Sequence, residues 1–139
     1  MENKNIIVTA TINASVEKVW NHWTSPEHIT QWYNASDDWH APRAENDVQV
    51  GGKFTTRMEA KDGSMGFDFS GTYTEVVENR KLSYSFGERN AEVTFNESDD
   101  GIIVNVTFDA ETVYPIEQQQ QGWQAILNNF KKYVETQTP

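Results

Sequence analysis

The chain has 139 residues, the size of one domain with a substantial core, and 37% of them are hydrophobic. It contains no cysteine, so disulfide bonds, thiolate metal ligands and cysteine nucleophiles are excluded. The formal net charge of −10 disfavours nucleic acids and anionic membranes, because an acidic surface repels both. No apolar run has the length of a signal-peptide core or a membrane span, so we expect a single cytoplasmic domain over residues 1–139.

The first third of the chain predicts one strand followed by two short helices. Residues 5–13 end in an alternation of apolar and polar side chains, as a strand does. Ser15 is a suitable N-cap for the first helix, and Ser25, which precedes a proline, is a suitable N-cap for the second. Residues 34–47 are polar and aperiodic, so we expect a long loop that carries Trp39 as its one large apolar side chain.

The middle of the chain predicts five antiparallel strands separated by short turns. Apolar and polar residues alternate along each strand, which predicts one covered face and one face exposed to water. Gly51, Gly52 and Gly71 are expected where a strongly bent sheet needs bulges or a close backbone approach. The predicted strands cover residues 48–61, 65–78, 81–87, 91–97 and 102–110.

The end of the chain predicts a long amphipathic helix. Its apolar residues recur at intervals of three and four, the period of a helix with one buried face. One curved antiparallel sheet and one long helix suggest an α+β helix-grip fold, with the space between them as the natural place for function. The predicted buried stripe consists of Trp123, Ile126, Leu127, Phe130 and Val134.

Six segments of the chain, in this order and spacing, carry a resemblance to a known family. They are SVEKVW, TSPEHITQWY, DVQVGGKF, GTYTEVVENRKLSYSF, VTFNESDDGIIVNVTF and GWQAILNNFKKYVE. Together they resemble the domain of the activator of heat-shock-chaperone ATPase homologue type, within the START-like (SRPBCC) superfamily. The resemblance covers essentially the whole chain.

This resemblance implies a helix-grip fold in which a curved antiparallel sheet of six to seven strands wraps around a long C-terminal helix and leaves an internal cavity. It also implies two short helices after the first strand. Members of the superfamily bind lipids, sterols, polyketides and other apolar ligands, and a few are cyclases or hydrolases. The co-chaperones that name the family carry an additional N-terminal domain, whereas this sequence begins directly at the first strand. Chaperone stimulation is therefore the least favoured of the functions that the resemblance implies.

The candidate functional site is an aromatic pocket between the sheet and the last helix. Such walls offer the apolar area and the few polar tips that a small-molecule site needs, and the alternative is that the same side chains fill the core without a void. The loop over residues 34–47 is expected to be mobile and to control access, with Trp39 as a lid contact or, alternatively, as an anchor to the core. The candidate ligand-binding residues are Trp32, Tyr33, Trp39, Phe54, Met58, Phe67, Phe69, Tyr73, Tyr84, Phe86, Phe108, Trp123 and Leu127.

The sequence offers little for metal or acid–base chemistry. His40 follows two aspartates, but no second ligand stands at a defined spacing, so we expect no metal and no cofactor. His22 and His28 are expected to face solvent. Side chains alternate between the two faces of a strand, and Glu59 and Asp68 stand at positions that face away from the pocket. Neither carboxylate is therefore a candidate catalytic group.

Three functions follow, of which we predict the first and keep the other two as alternatives. The first is a binding protein for a small apolar or aromatic molecule, as a monomer or weak dimer. The second is a cyclase- or hydrolase-type enzyme in which Tyr73, Tyr84 or His40 donates a proton, although no catalytic set is defined. The third is a module that binds a chaperone and stimulates its ATPase.

Overall fold

The computed structural model describes residues 5–34, 37–111 and 114–136, and within them seven antiparallel strands form one sheet. The strand order is β1-β7-β6-β5-β4-β3-β2, so the chain meanders from β2 to β7 and the first strand pairs with the last. The elements are β1 (Asn5–Ile12), α1 (Val16–Thr24), α2 (Pro26–Trp32), β2 (Trp39–Asn46), β3 (Lys53–Ala60), β4 (Gly66–Val77), β5 (Lys81–Phe86), β6 (Arg89–Ser98), β7 (Gly101–Asp109) and α3 (Ile116–Thr136).

The predicted helix-grip architecture is confirmed. The sheet curls around α3, and the two short helices follow the first strand directly. Ser15 caps α1 as expected, because its Oγ accepts a hydrogen bond from the Lys18 backbone N–H at 3.2 Å. Ser25 occupies the N-cap position of α2, but its hydroxyl bonds the Asn21 side chain at 2.9 Å and leaves α2 without a side-chain cap.

The prediction of a long loop over residues 34–47 is wrong. Trp39–Asn46 forms strand β2, which pairs with β3 at the edge of the sheet; residues 35 and 36 of the segment lie outside the described part of the chain. The register of β2 shifts between His40 and Arg43, where Pro42 interrupts the ladder. An edge strand with a bulge and a proline loses the period-2 alternation from which strands are predicted.

The turn before β3 is another departure from the prediction, because residues 48–52 do not continue the strand. Gly51 adopts a left-handed backbone (φ 84°), and its N–H donates to the Tyr73 carbonyl at 2.8 Å. The close approach expected at Gly71 is confirmed, since a Cβ there would lie 2.7 Å from the Phe54 ring. The sheet can therefore bend at this point and bring β3 and β4 over the helix.

The core lies between the inner face of the sheet and the three helices. The central and C-terminal part of α3 contributes three almost completely buried side chains, Leu127, Phe130 and Val134. Trp123 and Ile126, which belong to the same predicted stripe, are only partly buried. Burial of a Leu, Val or Phe side chain contributes roughly 1.5–3 kcal/mol, so the stripe is a main source of stability. The largest side chains with almost no exposed surface are Trp32, Phe108, Phe130, Ile12, Leu82 and Leu127.

Candidate functional site

A pocket of about 270 Å³ lies between the inner face of the sheet and the N-terminal half of α3. The surrounding side chains come from α1, α3 and strands β3 to β7, together with the residue that follows α2. Nearly all of them are apolar or aromatic. The pocket is lined by Trp23, Tyr33, Met58, Phe67, Phe69, Tyr84, Arg89, Val106, Trp123, Ile126 and Leu127.

Regular secondary structure determines which side chains reach the pocket. In the sheet, inward residues alternate with outward ones, and the paired positions Met58 and Phe67 of β3 and β4 share the inner face. In α3, Trp123, Ile126 and Leu127 stand at i, i+3 and i+4 and thus share one side of the helix. These rigid elements preform the pocket.

Trp123 is the largest side chain that α3 contributes. Its ring stacks on Phe108 with centroids 3.7 Å apart and planes at 9°, and it meets the edge of Phe69 at 6.2 Å. One face of Trp123 is thereby supported by β7. Gly122, the residue before Trp123, has open space around it, because an added Cβ would meet no atom within 4 Å.

The structure divides the residues predicted for the pocket into four groups. Trp32, Phe54 and Tyr73 surround a separate, smaller void of about 40 Å³. Phe86 and Phe108 lie behind the wall and pack against Trp123, with distances between ring centroids of 5.9 and 3.7 Å. Trp39 lies outside, in a surface depression, and reaches the pocket only through Phe67 at 5.9 Å. The residues placed in the main pocket are Tyr33, Met58, Phe67, Phe69, Tyr84, Trp123 and Leu127.

Four lining residues were missing from the predicted set: Trp23, Arg89, Val106 and Ile126. Trp23 belongs to the apolar stripe of α1 and packs its edge against Phe130 at 4.9 Å. Arg89 was assigned to a turn, yet it begins β6 and has the inward parity of Ala91, Val93 and Phe95. That parity was the signal in the sequence that could have identified it.

Arg89 is half-buried at the wall of the pocket. Its Nε donates a hydrogen bond to the Asp109 carbonyl at 3.0 Å, and its guanidinium carbon lies 4.7 Å from the centre of the Phe86 ring. The Asp109 carboxylate instead accepts a hydrogen bond from the Asn90 backbone N–H at 2.9 Å. The positive charge of Arg89 is thus anchored by a carbonyl and a ring, and no described carboxylate lies within ion-pair distance of it.

Three tyrosines bring hydroxyl groups to the two voids. The Tyr73 hydroxyl donates to Asn46 Oδ1 at 2.7 Å, and Asn46 in turn donates to the Thr24 carbonyl at 2.7 Å. The hydroxyls of Tyr33 and Tyr84 make no hydrogen bond with any described residue. Burial raises the pKa of Tyr33 and Tyr84 well above the ordinary range and that of Tyr73 to about 12. All three hydroxyls are therefore protonated at neutral pH and can donate hydrogen bonds.

The expectation that His22 and His28 face solvent is wrong. The two rings stack with centroids 3.9 Å apart in the junction between α1, α2 and α3, and His28 Nδ1 lies 2.7 Å from the Tyr133 hydroxyl. His22 Nδ1 lies 2.9 Å from the Lys18 carbonyl and therefore carries the proton. Burial, with the nearby charge of His28, lowers the pKa of His22. Packing between helices, which a single helical period does not reveal, accounts for this cluster.

The outer face of the sheet carries the carboxylates. Arg57 pairs with Glu59 of its own strand at 2.8 Å and with Asp68 of β4 at 3.5 Å, which confirms the outward direction predicted for both acids. His40 is partly exposed, and its Nε2 lies 4.0 Å from Oε1 of Glu59. Among the described residues, no group of three His, Asp or Glu side chains could hold a metal ion. None of the described helices is long and apolar enough to span a membrane.

The fold and its pocket define the class of the protein as a helix-grip domain of the START-like type. A family model described as Activator of Hsp90 ATPase homolog 1-like protein matches residues 13–135. The chain therefore belongs to this family, and the resemblance found in the sequence is confirmed. A comparison with curated proteins finds no match.

Solved structures of bacterial proteins share this fold. The AHSA1-like protein from Aeromonas hydrophila is 46% identical, with 95% of this chain and 92% of that chain covered and a TM-score of 0.90. A protein from Cytophaga hutchinsonii is also 46% identical, with 96% and 92% covered and a TM-score of 0.79. A protein from Chromobacterium violaceum, at 22% identity, 96% and 99% coverage and a TM-score of 0.85, is similar in fold alone.

Proposed function

We propose that the protein binds a small apolar or aromatic molecule in the pocket between the sheet and α3. The observation that supports this most directly is the space itself, about 270 Å³ enclosed by Trp, Tyr, Phe, Met, Ile, Leu and Val side chains. Protein interiors are packed as densely as organic crystals and contain few voids larger than a water molecule. The volume is close to the lower end of the roughly 300–1,000 Å³ found for ligand pockets, so the occupant is small.

The contrast between enclosed and exposed residues supports the same proposal. Met58 and Leu127 are buried in the wall, whereas Phe67 is 50% exposed at its rim. An apolar molecule that enters past Phe67 would exchange water for aromatic and aliphatic contacts, at roughly 25 cal/mol for each Å² of apolar surface removed from water. An exposed phenylalanine at the entrance fits such a path, since it can contact the ligand from one side.

The proposal can be tested with neutral apolar probes and a variant that fills the pocket. We expect 2-naphthalenemethanol, 1-decanol or indole to shift the amide resonances of residues around Trp123 in two-dimensional NMR spectra. Ile126→Trp should weaken the best of these probes at least about tenfold, because the larger ring occupies the ligand's space.

Val50→Trp is the matched control, since Val50 is 66% exposed in the turn before β3 and does not line the pocket. It should bind the probes as the unmodified protein does. If none of the probes binds, or if Ile126→Trp binds them with unchanged affinity, the proposal is contradicted.

The enzyme alternative has less support from the chemistry of the site. Burial raises the pKa values of Tyr73 and Tyr84, so both hydroxyls hold their protons more strongly than a free tyrosine. His40, the third candidate proton donor, lies outside the pocket beside Glu59. A binding site requires none of these groups to give up a proton, and this favours binding over catalysis.

A second candidate function follows from one surface feature and from the description of the family. Met65 and Phe67 are 65% and 50% exposed at the β3–β4 hairpin, and Trp39 lies beside Phe67. Exposed apolar side chains that cluster in this way are typical of protein–protein contacts. If the protein activates an ATPase of the Hsp90 class, Met65→Ser with Phe67→Ser should abolish the stimulation. An unchanged stimulated rate in this double variant would contradict a role of the hairpin.

A further inference from the structure

We infer that the pocket selects a ligand with one carboxylate on an apolar body, and that the Arg89 guanidinium and the Tyr84 hydroxyl hold that carboxylate. This inference rests on the proposed binding function and adds the chemical class of the ligand. It is argued from the position of Arg89, from the bonds that Arg89 leaves unused and from the hydroxyls beside it.

The position of Arg89 is unusual for a charged residue. The inward positions of β6 that follow it are Ala91, Val93 and Phe95, all of them buried and apolar. A guanidinium at this parity lies against the pocket rather than in the outer layer of charges. Because Arg89 is only half-buried at this wall, its remaining N–H groups, which bond no described residue, can bind a carboxylate that enters with the ligand.

The bonds of Arg89 leave room for such a partner. Only Nε is engaged with a described residue, through the hydrogen bond to the Asp109 carbonyl, while Phe86 supports the flat face of the group. On the outer face of the sheet, by contrast, Arg57 forms ion pairs with Glu59 and Asp68. In a chain with a net charge of −10, Arg89 thus brings a positive charge with unused N–H donors to the wall of the pocket.

The neighbouring hydroxyls have the complementary chemistry. Tyr84 and Tyr33 line the same pocket as Arg89 and make no hydrogen bond with a described residue. Burial raises the pKa of Tyr84, so its hydroxyl stays protonated. Arg89 pairs with Phe86 across β5 and β6, and Tyr84 is the next inward residue of β5. A protonated hydroxyl and a guanidinium both donate hydrogen bonds, so the group they bind accepts them.

A carboxylate satisfies these donors better than a neutral acceptor or a phosphate. The two terminal nitrogens of a guanidinium match the two oxygens of a carboxylate, and hydrogen bonds between ions are roughly twice as strong as those between neutral groups. One arginine balances one negative charge, whereas a phosphate monoester brings nearly two into an acidic protein. Fatty or aromatic carboxylates of small size combine this head group with the apolar body that the wall accommodates.

The test compares two probes that differ only in the head group, 2-naphthoate and 2-naphthalenemethanol, by isothermal titration calorimetry at pH 7.5. We expect the unmodified protein to bind the carboxylate at least about tenfold more tightly than the alcohol. Arg89→Gln should remove this preference. Arg89→Lys should retain part of it, because lysine keeps the positive charge but lacks the two parallel N–H donors of a guanidinium. Tyr84→Phe should reduce it by a smaller factor, of about threefold.

Arg80→Gln is the control for the loss of one positive charge, because Arg80 is exposed in the β4–β5 turn, and it should keep the full preference. Equal affinity of the unmodified protein for the two probes, or an undiminished preference in Arg89→Gln, would overturn the inference while the binding function stands. If neither probe binds, the inference and the proposed function both fail. If Arg89→Lys keeps a stronger preference for the carboxylate than Arg89→Gln does, Arg89 recognises the ligand through its positive charge and does not merely stabilise the sheet.

Discussion

The two ends of α3 meet the same sheet in different ways. Towards its C-terminus the helix presents Phe130 and Val134, both completely buried, to a region packed without a large void. Towards its N-terminus it presents Trp123 and Ile126, which are only partly buried and border the pocket of about 270 Å³. The closed region and the open region thus belong to one helix and one sheet, and they differ in how completely their side chains fill the space.

The polar groups of the two regions differ in the same sense. In the closed region, Trp32 Nε1 donates to the His22 carbonyl at 3.0 Å. At the smaller void, the Tyr73 hydroxyl donates to Asn46 at 2.7 Å. In the open region, Tyr33 and Tyr84 have no described hydrogen-bond partner. No fully buried side-chain N or O atom of the described residues lacks a hydrogen-bond partner, so the Tyr33 and Tyr84 hydroxyls are accessible from the pocket and can donate to a ligand. Stability and binding are therefore expected to depend on different ends of the fold.

The largest expected effect concerns truncation of the two aromatic residues of α3. Phe130→Ala should lower the free energy of unfolding by about 3–5 kcal/mol, because it opens a cavity in the closed region. Trp123→Ala should cost about 2 kcal/mol although tryptophan is the larger residue, since one side of its ring already faces the pocket. Chemical denaturation of both variants measures the difference. A cost for Trp123→Ala that equals or exceeds the cost for Phe130→Ala would contradict the division into two regions.

A smaller effect is expected when single hydroxyl groups are removed. Tyr73→Phe should destabilise the protein by about 1 kcal/mol, because it leaves the partly buried Asn46 side chain without its donor. Tyr84→Phe should leave the free energy of unfolding nearly unchanged, since its hydroxyl has no described partner to lose. The two variants remove the same atom and are controls for each other. Equal destabilisation by both would indicate that the Tyr84 hydroxyl is satisfied within the protein.

The smallest effect is expected from pH, and it belongs to the closed region. The pKa of His22 is lowered in the folded state. Below about pH 6.5, the ordinary histidine pKa, His22 of the unfolded chain is therefore protonated to a greater extent than His22 of the folded protein. Stability should therefore decrease on acidification from that pH until folded His22 is itself protonated. His22→Gln should flatten this part of the stability curve, which chemical denaturation at a series of pH values measures. Identical curves for His22→Gln and the unmodified protein would contradict this assignment.

The sequence predicts the closed region better than the open one. The periods of α3 and of strands β3 to β7 identify the inward side chains, because burial of one face imposes a regular pattern. Strand β2 was not predicted, since an edge strand with Pro42 and a bulge lacks a regular alternation of apolar and polar residues. The stacking of His22 on His28 was not predicted either, because the burial of this pair depends on how three helices pack together.

The pocket itself could be predicted only in outline. Parity places Met58, Phe69 and Tyr84 on the inner face, but the curvature of the sheet decides which of the inward side chains leave a space. Phe108 and Phe86 share the same parity and yet lie behind the wall, against Trp123. Arg89 was overlooked because a charged residue at the end of a strand was taken for part of a turn. The volume of a pocket depends on angles between elements, which the order of residues does not specify.

The most direct test of the account is to locate a bound probe by intermolecular nuclear Overhauser effects. With 2-naphthoate present in saturating amount, we predict contacts from its ring protons to Trp123, Ile126 and Tyr84, the side chains that α3 and β5 contribute to the pocket. Contacts to the surface depression around Trp39 and His40 in their place, or no intermolecular contacts at saturation, would contradict the account.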